Sequence, residues 1–193
     1  MSRPGPAILL AVGGGIAAYK SAILCSRLAQ GGFDVRVVMT SSSSHFIGAA
    51  TFAALSGNPV AHSGDQSDQA DSGGGIFDPQ HHPLGAHIEL TQCAKLMIVA
   101  PCTANLMAKF ASGIADDLVS TAYLQSSCPV LCAPAMSATM WNQPSVQRNH
   151  AQLKADGVHI IGPDSGWLSC RVKGEGRMSE PDAILAIATE LIQ

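Results

Sequence analysis

Ala7-Ile8-Leu9-Leu10-Ala11-Val12-Gly13-Gly14-Gly15 is the stretch whose reading decides the fold. Its first six residues form an unbroken apolar run, the pattern of a strand covered on both faces in a parallel sheet. The three glycines turn the chain. Ile16, Tyr19, Ile23, Leu24 and Leu28 then recur at helical spacing until Gly31-Gly32 stops the helix. Val35-Arg36-Val37-Val38-Met39 reads as the next strand, completing a β-α-β unit whose crossover is right-handed by rule. The alternation continues outward. Further strands are expected at 96–100, 129–133 and 158–161, and helices at 46–55, 87–95, 106–110, 141–153 and 181–192, with another after Asp116-Asp117. Glycine-rich or polar loops fill 62–86 and 163–178. No composition break divides the chain, so the expectation is one α/β domain over 1–193, a single doubly wound parallel sheet.

A chain of 193 residues suits one well-cored domain. With 47% hydrophobic residues, 13% charged and a net charge of -3, it reads neither as disordered nor as a nucleic-acid binder. No apolar run approaches membrane-spanning length, and Met1-Ser2-Arg3-Pro4 leads directly into a short strand, so a cytoplasmic protein is expected. The six cysteines include no C-x-x-C pair, which leaves a zinc ribbon or thioredoxin motif unsupported. His81, His82, His87 and Cys93 lack recognised ligand spacing, and no metal is expected.

The chemistry is expected at the strands' carboxyl ends, where ligands bind in open α/β sheets. Gly13-x-Gly15-x-x-Ala18 fits the dinucleotide fingerprint loosely, and a glycine-rich turn at a helix start suits a phosphate. Thr40-Ser41-Ser42-Ser43-Ser44 stands where an NAD protein places an acid, which favours a mononucleotide; the same hydroxyls can instead cap a helix. Thr103 and Asn105 either hold phosphate or a ring edge, or cap the helix that follows. Asp116-Asp117 reads as capping. In Pro134-Ala135-Met136-Ser137-Ala138-Thr139-Met140-Trp141, two methionines and a tryptophan can wall a flat apolar ligand or pack in the core. His87, at a helix start after a long loop, is a candidate acid/base or a satisfied surface histidine.

Taken in order, Gly14-Gly15-Ile16-Ala17-Ala18-Tyr19-Lys20, Val37-Val38-Met39-Thr40, Leu55-Ser56-Gly57-Asn58-Pro59, His87-Ile88-Glu89-Leu90, Ala100-Pro101-Cys102-Thr103-Ala104-Asn105, Gly113-Ile114-Ala115-Asp116-Asp117, Pro134-Ala135-Met136-x-x-x-Met140-Trp141 and Gly174-x-Gly176-Arg177-Met178 resemble the homo-oligomeric flavin-containing cysteine decarboxylases. The resemblance covers nearly the whole chain. It implies a flavodoxin-like fold, bound FMN (or FAD in its place), and a homotrimer or homododecamer whose flavin site is shared between subunits. In that family FMN oxidises a cysteine side chain to a thioaldehyde, CO2 leaves, and an enethiolate remains. The resemblance implies that His87 is the catalytic histidine, and that Thr40, Phe46, Thr103, Ala104, Asn105 and Leu106 contact FMN. It places Gly14, Gly15 and Ile16 near the FMN phosphate, and Ala135, Met136 and Ser137 at the substrate. Cys170 aligns with the cysteine that donates the proton completing reduction in phosphopantothenoylcysteine decarboxylases.

Three departures bear on the substrate. Ser137 replaces an asparagine that binds the substrate carboxylate, Leu106 replaces a threonine, and Arg171 follows Cys170 where glycine is common. Ser137, the altered flap and the lack of a fused ligase domain favour a peptide's C-terminal cysteine as substrate. Cys170 and the closeness of most motifs favour phosphopantothenoylcysteine instead. A non-catalytic regulatory flavoprotein is the reading from another class. No nucleic-acid or membrane partner is expected.

Overall fold

The computed structural model describes residues 5–62 and 84–192. Among them, β1 (Ala7–Val12), β2 (Asp34–Met39), β3 (Val60–His62), β4 (Ala94–Cys102), β5 (Val130–Pro134) and β6 (His159–Ile160) form a parallel sheet in the order β3-β2-β1-β4-β5-β6. Without the three-residue edge strand β3, the order is that of flavodoxin-like folds. The fold is the expected doubly wound α/β sheet.

Strand periodicity divides the core. Ile8, Leu10, Val12, Val37, Met39, Leu96 and Ile98 enter one layer, with α1 (Ala18–Gln30), α2 (Ala49–Ser56) and α8 (Pro181–Ile192). Leu9, Ala11, Val38, Met97 and Val99 enter the other. That second layer holds α3 (Ala86–Gln92), α4 (Ala104–Ser112), α5 (Leu118–Gln125), α6 (Ala138–Trp141) and α7 (Pro144–Ala155). Both faces of β1 are covered, which explains its continuous apolar sequence. Ser21, buried on α1, donates from Oγ to the carbonyl of Ala100 at 2.6 Å and ties the first helix to the end of β4.

Several boundaries differ from the sequence reading for local reasons. The 87–95 helix ends at Gln92, because Ala94 already pairs with Ala7 as β4 begins. The 46–55 helix is preceded by a 3-10 turn, Ser41–His45, in which the Ser43 hydroxyl donates to the Thr40 carbonyl and draws the backbone from an α-helical start. The 141–153 helix begins at Pro144, which opens α7 at its first position, where a missing N–H costs nothing, while Trp141 instead ends the short α6. β3 occupies Val60–His62 beside the 62–86 loop, whose residues 63–83, His81 and His82 among them, lie outside the described residues.

The largest correction concerns 163–178. It is an antiparallel hairpin, β7 (Asp164–Trp167) paired with β8 (Lys173–Arg177), and not a loop. Its strands carry mostly exposed polar residues and glycines, so no apolar alternation announces them. Backbone contact fixes the hairpin to the rest of the molecule: Met136 N–H donates to the Gly176 carbonyl at 2.9 Å. A Cβ on Gly176 would run into the Met136 carbonyl oxygen, and its φ of +132° already favours glycine.

Candidate active site

After β1 the chain turns to α1 on one face of the sheet, and after β4 it turns to α4 on the other. The crevice between these divergent exits is the switch point of a doubly wound sheet. It holds a cleft of about 710 Å³, within the range of small-molecule sites. The cleft is lined from the ends of β1, β2, β4 and β5, and by the hairpin above them.

Of the residues singled out in the sequence, Gly14, Gly15, Ile16, Thr40, Thr103, Ala104, Asn105, Leu106, Ala135, Met136 and Ser137 line this cleft. At one end the N–H groups of Gly15, Ile16 and Ala17 donate to nothing among the described residues. The first turn of α1 carries no acidic side chain and no side-chain cap. Thr40 Oγ1 lies 3.3 Å from Ser42 Oγ beside them. Unpaired N–H groups, a helix start and clustered hydroxyls suit an anion. A Cβ on Gly14 would meet Ser42 Oγ, whereas one on Gly15 would meet nothing within 4 Å. The turn is thus closed by its own loop at Gly14 and open to a ligand at Gly15.

The rest of the cleft is broader and more apolar. Met136 and Met140 border it, and Ile16 and Trp167 line it while 59% and 61% exposed. Thr103 Oγ1 accepts from the Leu106 N–H at 3.2 Å and so caps α4. Ser137 Oγ accepts from Met140 N–H at 3.3 Å and caps α6. A phosphate-accepting end joined to an apolar cleft fits a flavin mononucleotide: the hydroxyl and N–H end would hold its phosphate, and the methionines and Thr103–Leu106 turn its ring.

Phe46, His87 and Cys170 are not brought into this cleft. Phe46 is 50% exposed after the 3-10 turn. His87 sits in the first turn of α3, which packs on α5, and its Nδ1 is buried without a hydrogen-bond partner among the described residues. Cys170 is exposed at the hairpin tip, one residue beyond the cleft-lining Ser169.

Lys20, Lys109, Asp117, Trp167 and Arg177 also line the cleft, and the sequence reading gave none of them a site role. Lys20, Lys109 and Arg177 are held by acids. Lys109 Nζ lies 2.6 Å from Asp116 Oδ1 and 2.5 Å from Asp117 Oδ2. Asp117 also caps α5 in a reciprocal box with Ser120, the capping role expected of it. Lys20, 4% exposed, donates to the Met178 carbonyl at 2.8 Å and to Glu180 Oε1 at 3.0 Å, and Arg177 donates to the same oxygen at 2.7 Å.

This last cluster fastens the base of the hairpin to α1. The hydrogen bond from Lys20 holds the Glu180 carboxyl below its usual range. A depressed carboxyl pKa favours the folded arrangement above the ordinary value of about 4.3, and that contribution is lost as pH falls through the folded pKa. Acidification below about pH 4 is therefore expected to loosen the hairpin. The check is fluorescence of Trp167 in a Trp141→Phe background: its change on acidification should be weaker in Glu180→Gln, which lacks the titrating group.

The hairpin tip is strained at one residue. Arg171 has φ +64°, its N–H donating to the Leu168 carbonyl at 2.9 Å, in a left-handed conformation that glycine adopts freely. Arg171→Gly is expected to stabilise the protein by up to about 1 kcal/mol in urea unfolding, because the side-chain strain disappears.

Beneath the cleft, Cys102 and Cys132 are fully buried on adjacent strands. Their mutual hydrogen bond and burial push the Cys132 thiol well up, so it is held protonated. Among the described residues no three His, Cys, Asp or Glu side chains gather as a metal site, and no helix is long and apolar enough to cross a membrane.

Comparison with known proteins covers the whole described fold. The family model Flavoprotein matches residues 2–193. The coenzyme A biosynthesis bifunctional protein CoaBC of Bacillus subtilis (strain 168) is 41% identical over 181 residues, 94% of this chain and 42% of the relative. The chain thus spans about two fifths of the length of the curated relatives it matches. Among solved structures, a PPC decarboxylase mutant complexed with pantothenoylaminoethenethiol is 31% identical at a TM-score of 0.79, covering 96% of this chain and 97% of that one. The FMN-dependent cysteine decarboxylase SpaF is also 31% identical, at a TM-score of 0.76, covering 98% and 97%.

Proposed function

From the premise that the chain belongs to the flavoprotein family, we propose that it is an FMN-dependent cysteine decarboxylase acting on phosphopantothenoylcysteine. The observation that carries the substrate is the likeness to CoaBC proteins over almost the entire chain. The same likeness favours phosphopantothenoylcysteine over a peptide's C-terminal cysteine. The main sequence argument for a peptide was Ser137, and here its hydroxyl caps α6. Serine and asparagine serve about equally as N-caps, so the exchange keeps the local fold and points to no new substrate.

Bound FMN supplies the two-electron acceptor that a cysteine carboxylate lacks. The chain's own groups do the rest. The Gly15, Ile16 and Ala17 N–H groups with Thr40 and Ser42 hold the cofactor phosphate, and Thr103–Leu106 with Met136 seat the ring. His87 moves a proton on or off the substrate thiol or carboxylate through its imidazole. Cys170 gives its Sγ proton in the reduction of the enethiolate left by decarboxylation, and the two electrons that bound FMN took from the cysteine would return in the same step, so that the product is a saturated thiol. Ala135, Met136 and Ser137 orient the substrate. Phe46 and His87 lie apart from the cleft of their own chain, which supports a site completed by a second copy, as a homotrimer or homododecamer would complete it.

The test is mass spectrometry of products from the yellow protein with phosphopantothenoylcysteine and, separately, with a short peptide ending in cysteine. Loss of CO2 alone from the first compound is expected. Loss of CO2 with two hydrogens from the peptide, and no turnover of the first, would replace this reading with a peptide decarboxylase. Turnover of neither would remove the enzyme.

A further inference from the structure

We propose that Arg171 and Lys173, at the tip of the hairpin, form a clamp for the phosphate of the substrate and thereby set its specificity. The inference rests on the substrate reading given above, and it comes from the balance of charge around the cleft. Each cation lining the cleft is already matched: Lys20 and Arg177 by Glu180, Lys109 by Asp116 and Asp117. The N–H and hydroxyl end at Gly15–Ala17 and Thr40 serves the cofactor's phosphate. A substrate that brings a phosphate of its own needs a second cationic anchor.

Arg171 and Lys173 provide one. Both are exposed, and neither makes a hydrogen bond through its side chain or an ion pair among the described residues. Glu175, two residues along β8, pairs with neither. Lys173 lies directly opposite Trp167 in the antiparallel ladder, and directly opposed residues present their side chains on one face. Lys173 therefore shares a face with a side chain that lines the cleft. Arg171 follows Cys170 in the chain, so a tip that delivers the thiol to the substrate brings the guanidinium with it. The arginine is also kept at φ +64°, where glycine would be unstrained, which marks the residue as held for its side chain. A planar guanidinium that engages two phosphate oxygens, with an ammonium at the third, suits a phosphate monoester.

The test compares kcat/KM for phosphopantothenoylcysteine and for its dephosphorylated counterpart, in the native protein, Arg171→Gly, Lys173→Gln and the double variant. Glycine at 171 fits the observed backbone, and flavin absorbance checks that each variant retains its cofactor. The native protein is expected to favour the phosphorylated compound by about tenfold or more, through KM, as charged hydrogen bonds of this kind contribute. The preference should fall toward unity in the double variant and weaken with added salt in the native protein. Three results overturn the clamp while leaving the decarboxylase intact: no preference in the native protein, a preference the double variant retains, or an equal loss on both compounds, which would make the tip a support for Cys170 alone. Turnover of neither compound by the native protein overturns the substrate reading, and the clamp falls with it.

Discussion

Gly13→Ala is expected to yield a colourless protein of lowered stability. Gly13 follows the last residue of β1, at the point where the cofactor turn begins, and a Cβ built there runs into the carbonyl oxygen of Pro101. It also comes within 2.9 Å of Leu106 Cδ1 and 3.3 Å of Thr103 Cγ2. Pro101 belongs to β4, which pairs with β1 on one side and β5 on the other, so its backbone has little room to give. The strain must then move the end of β1 or the start of α4. Overpacking of this kind costs about 1–3 kcal/mol. Either shift parts the Gly15–Ala17 N–H groups from the Thr103–Leu106 turn, and these are the two sides of the proposed flavin site. Flavin absorbance of the purified variant and its urea midpoint measure the two effects. Gly15→Ala is the internal control for folding, since its Cβ would meet nothing within 4 Å. A yellow Gly13→Ala protein with native stability would mean that the two strand ends do not form one rigid site.

The parts of the molecule legible in the sequence share a physical cause. A strand buried on both faces must be apolar throughout, and Ile8 to Val12 and Leu96 to Ala100 could be read directly for that reason. Parallel strands joined by helices then carry their following turns to one edge of the sheet. Gly14, Thr40, Thr103 and Met136 come from turns spread over more than a hundred positions, yet they line one cleft. The hairpin lacks any such signal. Its residues are polar and exposed, and what fixes it is a backbone bond from Met136 to Gly176 and an ion pair between Lys20 and Glu180, far apart in sequence. Trp167 and Arg177 reach the cleft only through that attachment, so neither could be assigned to it from local pattern. Ser137 carries two signals at once: it departs from a family motif at the substrate, and its hydroxyl accepts from the Met140 N–H and caps a helix, a local role that the motif comparison alone does not reveal.

His87→Asn is expected to leave the protein yellow and folded while lowering kcat by at least about a hundredfold, the smaller end of what a positioned acid/base contributes. The Nδ1 atom of His87 is buried and makes no hydrogen bond among the described residues. Buried polar atoms are nearly always paired, so an orphan at a helix start marks a group held for a partner outside the described residues. In the proposed site that partner is the substrate, reached across a contact with a second copy. Asparagine preserves much of the side chain's reach and its capacity for hydrogen bonds, but it cannot exchange a proton near neutral pH. The helix itself should tolerate the change, because the bond that local structure makes here runs from the Thr91 hydroxyl to the His87 backbone carbonyl, at 2.8 Å. Absorbance of the bound flavin separates the outcomes. A yellow, inactive variant that has also lost one limb of the native pH–rate profile places proton transfer at His87. A colourless variant would make the residue a support for the cofactor, and a yellow, fully active one would remove histidine from the chemistry.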